Sequence, residues 1–186
     1  MASTTLLQRP TVTVSEFRCT AEPGEKPFTE LHRCHSISFV RKGSFGYRCR
    51  GRSYELVAGS FLIGSPDTEF MCTHDHVCGD ECLSFFFAPE LVDMIGDRAE
   101  AWQVGAAPPL AELMVLGELA QAAADGQSDI GLDEVGHLLA SRLVEVVSGK
   151  RGMRTGITAR DRRRAAALAS ARCQHRQPSR CFGTLT

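Results

Sequence analysis

The chain has 186 residues, a formal net charge of -1 and eight cysteines. This length fits one buried core with a small addition, and the near-zero charge argues against nucleic-acid binding by the bulk of the chain. The N-terminus lacks a signal-peptide pattern, and apolar runs stay well below the roughly 20 residues of a membrane span. We therefore expect a cytoplasmic protein with free thiols and no membrane partner.

Residues 1–88 predict short antiparallel strands separated by turns. Strand-like segments include "TVTVSEFRC", "HSISFVRKG", "EFMCTH" and "CLSFFFA". The run "SFGYRCRGRSYELVAGSFLIGSP" is typical of a hairpin with Gly51 at its tip, followed by a turn at Ala58 and Gly59 and a further strand. Turns spaced about ten residues apart favour a sandwich or barrel.

After Pro89 the apolar period becomes helical. The segments "PPLAELMVLGELAQAAADG" and "GLDEVGHLLASRLVEVVSGK" predict two amphipathic helices, with apolar faces over residues 110–119 and 132–147, joined by the polar turn "DGQSDIG". The predicted fold is therefore mainly β with α, an antiparallel β-barrel over residues 1–88 followed by an α-helical hairpin within residues 89–147. The two helices either cover the barrel or present an apolar face to a second subunit.

Candidate pocket residues lie on the predicted strands. Strand parity alone does not decide which face of a strand is inside the barrel. The large apolar side chains that would line an inner pocket are Phe39, Phe45, Tyr47 and Leu62.

The stretch "CTHDHVCGDEC" predicts a zinc site. On a straight strand Cys72, His74 and His76 share a face, but the outer two lie about 13 Å apart, too far for one tetrahedral ion. The chain must therefore bend after His74, and Gly79 provides the means. With that bend, Cys72, His74, His76 and either Cys78 or, as the first choice, Cys82 form a set of two sulfur and two nitrogen donors that suits Zn²⁺.

Two other interpretations of this stretch remain open. A reversible disulfide between Cys78 and Cys82 would make it a thiol switch. Alternatively, buried cysteines act as small hydrophobic residues, and the stretch is an ordinary surface loop.

The last part of the chain changes character twice. Residues 148–158 combine glycines with basic residues and predict a linker. Residues 159–186 begin with the basic, Ala-rich helix "ARDRRRAAALASAR" and end in a tail that predicts disorder.

The order of these parts resembles the N-terminal half of an AraC-type transcription regulator, over about residues 30–172. The resemblance rests on "HSISFVRKGSFGYRCRGRSYELVAGSFLIGSP", "CLSFFFAPELV", the helix pair, the linker and "RDRRRAAALASAR". It implies a cupin-like sensor for a small-molecule or metal effector and a homodimer through the two helices. Residues 159–186 match only a remnant of the first helix of the DNA-binding domain, so DNA binding is expected only of a full-length form.

The alternative class is a stand-alone metal-dependent cupin enzyme. The metal-binding cupin pattern has paired histidines at the start of an early strand, a glutamate soon after and another histidine on a later strand. Here His32 and His35 are spaced three apart, and no glutamate follows before Gly43. This departure disfavours catalysis, and an interaction domain without a ligand is a third possibility.

Overall fold

The computed structural model describes residues 2–75, 79–96 and 99–149 of the chain. These residues form nine strands, eight of them before residue 88, and four helices after it. The strands are β1 Ala2–Gln8, β2 Val12–Cys19, β3 Thr29–His32, β4 His35–Cys49, β5 Arg52–Val57, β6 Phe61–Gly64, β7 Thr68–Thr73, β8 Asp80–Phe87 and β9 Ala106–Ala107. The helices are α1 Pro89–Ile95, α2 Ala99–Trp102, α3 Ala111–Ala124 and α4 Leu132–Gly149.

The long strand β4 belongs to two antiparallel sheets. Its first half pairs with β6 and β8 in a sheet of order β1-β2-β8-β4-β6-β9. Its second half pairs with β5 and β7, and β7 also pairs with β3. The predicted fold class, mainly antiparallel β with helices after the strands, is confirmed. The sheet is open rather than closed, because within the described residues β1 pairs only with β2 and β9 only with β6.

Helices α3 and α4 pack on one face of the sheet that contains β2 and β8. A Cβ atom on Gly117 of α3 would come within 2.7 Å of the Phe39 ring, and one on Gly136 of α4 would come within 2.9 Å of the Phe85 ring. These two glycines allow the helices to approach the strands closely. Both helices are therefore part of the core of the protein.

The apolar face of α4 is used within the protein itself. Leu139 and Leu143 are fully buried in the core beneath the helices. Exposed apolar side chains on the outer surfaces of the helix pair are Val115 and Leu138. The interpretation that the helices cover the sheet is thus confirmed, and any second subunit would meet the outer surfaces.

The predicted element boundaries need correction after the second helix. Helix α3 ends at Ala124, just before the predicted turn, but α4 continues to Gly149, so the predicted linker 148–158 begins with two helical residues. Strands β1, β3 and β9 and helices α1 and α2 were not predicted. The rest of the linker and residues 159–186 lie outside the described residues. In the described part of the chain, the helices are too short or too polar to span a membrane.

Candidate functional site

A cavity of about 450 Å³ is lined by side chains from both sheets. Such a volume lies in the range of small-molecule sites, which run from about 300 to 1,000 Å³. The lining is mainly aromatic and apolar, with hydroxyl, thiol and titratable groups among the rings. Its side chains include Phe17, His32, Cys34, Ser36, Ser38, Phe45, Leu62, Phe70, Cys72, His74, Asp80, Cys82, Ser84 and Phe86.

A β-bulge in β4 decides which of its side chains face this cavity. The register with β8 shifts between Val40 and Lys42. One extra residue in a strand reverses the alternation of side chains between its two faces. Accordingly Ser36 and Ser38 line the cavity before the bulge, whereas Phe45 lines it afterwards.

The predicted pocket residues divide between the two faces. Phe45 and Leu62 line the cavity, as predicted. Phe39 was predicted wrongly, because it lies before the bulge and packs under α3 on the other face of the sheet. Tyr47 is fully buried and reaches the cavity through a hydrogen bond to His32.

His32 lies on one side of the cavity, between a tyrosine hydroxyl and an aromatic ring. Its Nε2 atom lies 3.0 Å from the Tyr47 hydroxyl, and its ring stacks on Phe70 at a centroid distance of 4.1 Å. Burial, with a smaller contribution from the charge of Arg50, lowers the pKa of His32 to about 4. Burial also raises the pKa of Tyr47. This pair is therefore uncharged near neutral pH.

A second polar group lies where β2, β7 and β8 begin or end. The Nε2 atom of His74 is 2.9 Å from Oδ2 of Asp80, and the Cys82 thiol donates to Oδ1 of the same carboxylate at 3.4 Å. Cys19 is the register partner of Asp80 across the β2–β8 pair. One donor atom each from Cys19, His74 and Asp80 lie within 4.8 Å of one another.

Backbone contacts hold this group together. Gly79 has a φ of +63°, and a Cβ atom there would come within 2.1 Å of the Cys19 carbonyl oxygen. The Gly79 N–H donates to the carbonyl of Ala21, and the Gly24 N–H donates to the carbonyl of His74. Only glycine adopts this conformation in such contact without strain. The predicted use of Gly79 to turn the chain is consistent with this geometry.

The structure brings together three of the four predicted zinc ligands and adds two residues. Cys72, His74 and Cys82 line the same cavity, while His76 and Cys78 fall outside the described residues. Sequence reasoning missed Cys19 and Asp80. Asp80 stands within the quoted stretch, but the closeness of Cys19 follows from the pairing of β2 with β8, which no local pattern reveals.

The described cysteines are all free thiols. They are Cys19, Cys34, Cys49, Cys72 and Cys82. Burial raises the pKa of Cys19 and, together with the neighbouring Asp80 carboxylate, that of Cys82. Burial likewise raises the pKa of Cys72 to about 12. These thiols are therefore protonated near neutral pH unless a cation replaces the protons.

The pattern of a metal-dependent cupin enzyme does not fit the placement of the two early histidines. His32 lines the cavity, whereas His35 lies on the helix-covered side, where its ring meets Trp102 at a centroid distance of 4.9 Å. The two rings therefore face different sides of the sheet and do not converge on one ion. This geometry agrees with their unusual spacing in the sequence.

Comparisons with known proteins give structural neighbours only. No protein-family model and no curated protein matches the chain. A cupin superfamily protein from Desulfitobacterium hafniense is 14% identical to this chain. The matched region is 46% of this chain and 75% of that protein, with a TM-score of 0.38. A cupin-2 domain protein from Shewanella frigidimarina is 11% identical over 47% of this chain and 80% of its own, with a TM-score of 0.38. A cupin 2 conserved barrel domain protein from Leptotrichia buccalis is 12% identical over 60% of this chain and 44% of its own, with a TM-score of 0.41.

Proposed function

We propose that this chain is the effector-sensing and dimerisation part of an AraC-type transcription regulator. The observation that carries the proposal is the 450 Å³ cavity lined by both sheets, with a helix pair packed on one of those sheets. A ligand that enters the cavity touches β4 and β8, and the opposite faces of these strands support the helices. Occupancy of the cavity can therefore influence the helix pair through two shared strands.

The lining indicates the class of effector. Most of it consists of aromatic and aliphatic side chains, so apolar area supplies most of the binding free energy. Ser38 and Ser84 face the cavity and share a hydrogen bond of 2.8 Å. A small, largely apolar molecule with one or two hydroxyl or carbonyl groups matches this surface, because these serines would orient it.

Sensing fits the cavity better than the alternative of a metal-dependent enzyme. An enzyme of that class needs histidines from neighbouring strands to converge on one ion inside the barrel. His32 and His35 lie on opposite sides of the structure, and His32 is hydrogen-bonded to Tyr47. Zinc or thiol responsiveness would belong to the group of Cys19, His74, Asp80 and Cys82 instead. DNA recognition is expected of a form of the regulator that carries recognition helices.

A cavity-filling variant tests the proposal. Ser38→Leu adds volume inside the cavity, whereas Ser3→Leu places the same side chain on the exposed strand β1. In a thermal-shift screen of small apolar alcohols and ketones, we expect some compounds to raise the melting temperature of the unmodified chain and of Ser3→Leu. The same compounds should leave the melting temperature of Ser38→Leu unchanged. A compound that stabilises all three chains equally would bind elsewhere and contradict the assignment.

A further inference from the structure

We propose that Cys19, His74, Asp80 and Cys82 form a binding site for a soft divalent cation, best matched by Zn²⁺. The site shares His74 and Cys82 with the set predicted from the sequence and replaces the other two ligands. It does not depend on an effector in the cavity or on DNA binding. Its failure would therefore leave the proposed function untouched, and the reverse also holds.

Three of the proposed ligands converge at the ends of three strands. Cys19 is the last residue of β2, Asp80 is the first residue of β8, and His74 follows the last residue of β7. Donor atoms of these three residues already lie within 4.8 Å of one another. Around a tetrahedral zinc ion, ligand distances of about 2.0–2.3 Å place the donors roughly 3.5 Å apart. Cys19, His74 and Asp80 therefore need a closure of only about 1 Å. Cys82 would complete the set from its position beside the Asp80 carboxylate.

The Asp80 carboxylate is buried and has one ionic partner among the described residues. The side chains of His74 and Asp80 are only 9% and 10% exposed. Among the ion pairs of the described residues, Asp80 is paired with His74 alone. A buried carboxylate is costly without an opposite charge, and neighbouring thiols do not supply one. A divalent cation would supply it while using the thiols as ligands.

Backbone contacts hold two of the proposed ligands in position before any ion binds. The close approach of Gly79 to the Cys19 carbonyl, and the hydrogen bond from Gly24 to the His74 carbonyl, fix two of the ligands through their backbones. Cys82 lies two residues after Asp80 on β8, so both side chains point to the same face of the strand. Its thiol already touches the Asp80 carboxylate at 3.4 Å. Binding of the ion would break this contact and the His74–Asp80 hydrogen bond.

The donor set explains the preference for zinc. Two sulfur ligands, one imidazole and one carboxylate suit a borderline-soft ion in tetrahedral geometry, whereas Mg²⁺ and Ca²⁺ require mainly oxygen ligands. Each thiol must lose its proton to bind, so one Zn²⁺ and two thiols give a dithiolate complex and two protons released to solvent. No oxidant or reductant takes part.

Cobalt(II) is the direct probe of this site. The full chain is purified with a reductant, stripped of metal with a chelator and titrated with Co²⁺. We expect saturation at one equivalent, visible absorption typical of tetrahedral cobalt and a near-ultraviolet band from thiolate-to-cobalt charge transfer. Zn²⁺ should displace the cobalt. Cys19→Ser and Cys82→Ser should each weaken the charge-transfer band by about half. His74→Ala should lower the affinity at least about tenfold, because loss of even an outer-shell partner of a ligand typically costs that much.

Cys34→Ser is the matched control. Cys34 lines the same cavity and precedes His35 in the chain. His35 pairs with Phe87, the last residue of β8, whereas Asp80 is the first residue of that strand. Seven residues of strand correspond to about 23 Å, so this thiol is far from the proposed ion. Its substitution should change neither the spectrum nor the affinity. Circular dichroism of each metal-free variant shows whether it retains the fold, and the cysteine-to-serine changes are small enough to keep it.

Two results would overturn the proposal. One is the absence of stoichiometric Co²⁺ binding by folded, reduced protein. The other is binding that Cys19→Ser and Asp80→Asn leave unchanged while Cys72→Ser and His76→Ala abolish it. That second result would restore the ligand set predicted from the sequence and exclude the one proposed from the structure.

Discussion

His32 is a histidine that folding keeps neutral. Its ring lies between the Tyr47 hydroxyl and the face of Phe70, and the Arg50 charge disfavours a second positive charge nearby. In the unfolded chain a histidine has a pKa of about 6.5. The folded value of about 4 means that the folded state binds fewer protons in the interval between these two values.

This difference predicts a pH dependence of stability. Because the unfolded chain binds the extra proton, the free energy of unfolding should fall as the pH drops from about 6.5 towards 4. The slope contributed by His32 is at most about 1.4 kcal/mol per pH unit, and partial exposure of the ring to the cavity reduces it. His32→Gln retains a hydrogen-bonding group for Tyr47 and removes the titration. Urea unfolding between pH 7.5 and 4.5 should therefore give a flatter dependence for this variant.

The difference between the two pH dependences of the free energy of unfolding reports on His32 alone, because the carboxylates titrate alike in the unmodified chain and in His32→Gln. If the unmodified chain and His32→Gln lost stability in parallel over this interval, the neutral His32 would contribute nothing, and the account of this side of the cavity would be wrong.

Local sequence supplied part of the candidate site and could not supply the rest. Cys72, His74 and Cys82 lie in one short stretch, so a single bend was enough to predict their proximity. Cys19 lies far away in the chain and joins them only because β2 pairs with β8. Such a contact depends on strand order, which is determined by the packing of the whole sheet.

At the level of secondary-structure elements, two glycines set the distance between the helices and the sheet. Glycine inside a helix usually costs about 1 kcal/mol relative to alanine. At Gly117 that cost is offset by the close approach to Phe39, where an added Cβ atom would lie 2.7 Å from the ring. The same reasoning applies to Gly136 and Phe85.

Alanine substitutions should therefore have opposite effects at different helix positions. Gly117→Ala should lower the free energy of unfolding by about 1–3 kcal/mol, because the helix must move away from the core. Gly149→Ala, at the end of α4 with no atom within 4 Å of the added Cβ, should leave stability unchanged or raise it slightly. Chemical unfolding of both variants measures the difference. A stabilising Gly117→Ala would show that the helix does not pack as described.

The bulge in β4 explains why strands were easier to predict than their faces. The alternating patterns of β2, β4 and β8 correctly predicted strands, since local alternation is a property of a few neighbouring residues. The extra residue near Arg41 exchanges the faces of β4 in mid-strand. No residue type there distinguishes a bulge from a regular strand, and Phe39 was consequently assigned to the wrong side.

For the whole molecule, the proposed dimerisation would use the helix surfaces that do not pack on the sheet. Leu139 and Leu143 are buried within one chain, whereas Leu138 and Val115 are exposed on the helix pair. A closed two-fold dimer through the helices would bury these outer side chains.

The order of the elements, sheet first and helices second, was predictable from the change of apolar period after Pro89. The short elements α1, α2 and β9 were too brief to leave a periodic pattern.

Paired glutamate substitutions test this dimer. The double variant Val115→Glu and Leu138→Glu should be a folded monomer on light scattering, because charges on the outer surface oppose association but not folding. Leu139→Glu should instead lose more than about 4 kcal/mol of stability by placing a charge in the core. An unchanged dimer mass in the double variant, or a monomeric unmodified chain, would contradict dimerisation through the helices.

The proposed sensing role requires the cavity between the two sheets to hold a small effector. Native mass spectrometry of the intact chain, purified gently and without chelator, measures this most directly. We predict a mass increase from a small organic molecule that is present in the unmodified chain and in Ser3→Leu and absent from Ser38→Leu. A bare chain mass after incubation with every compound that stabilises the protein, or an adduct that persists in Ser38→Leu, would contradict the claim.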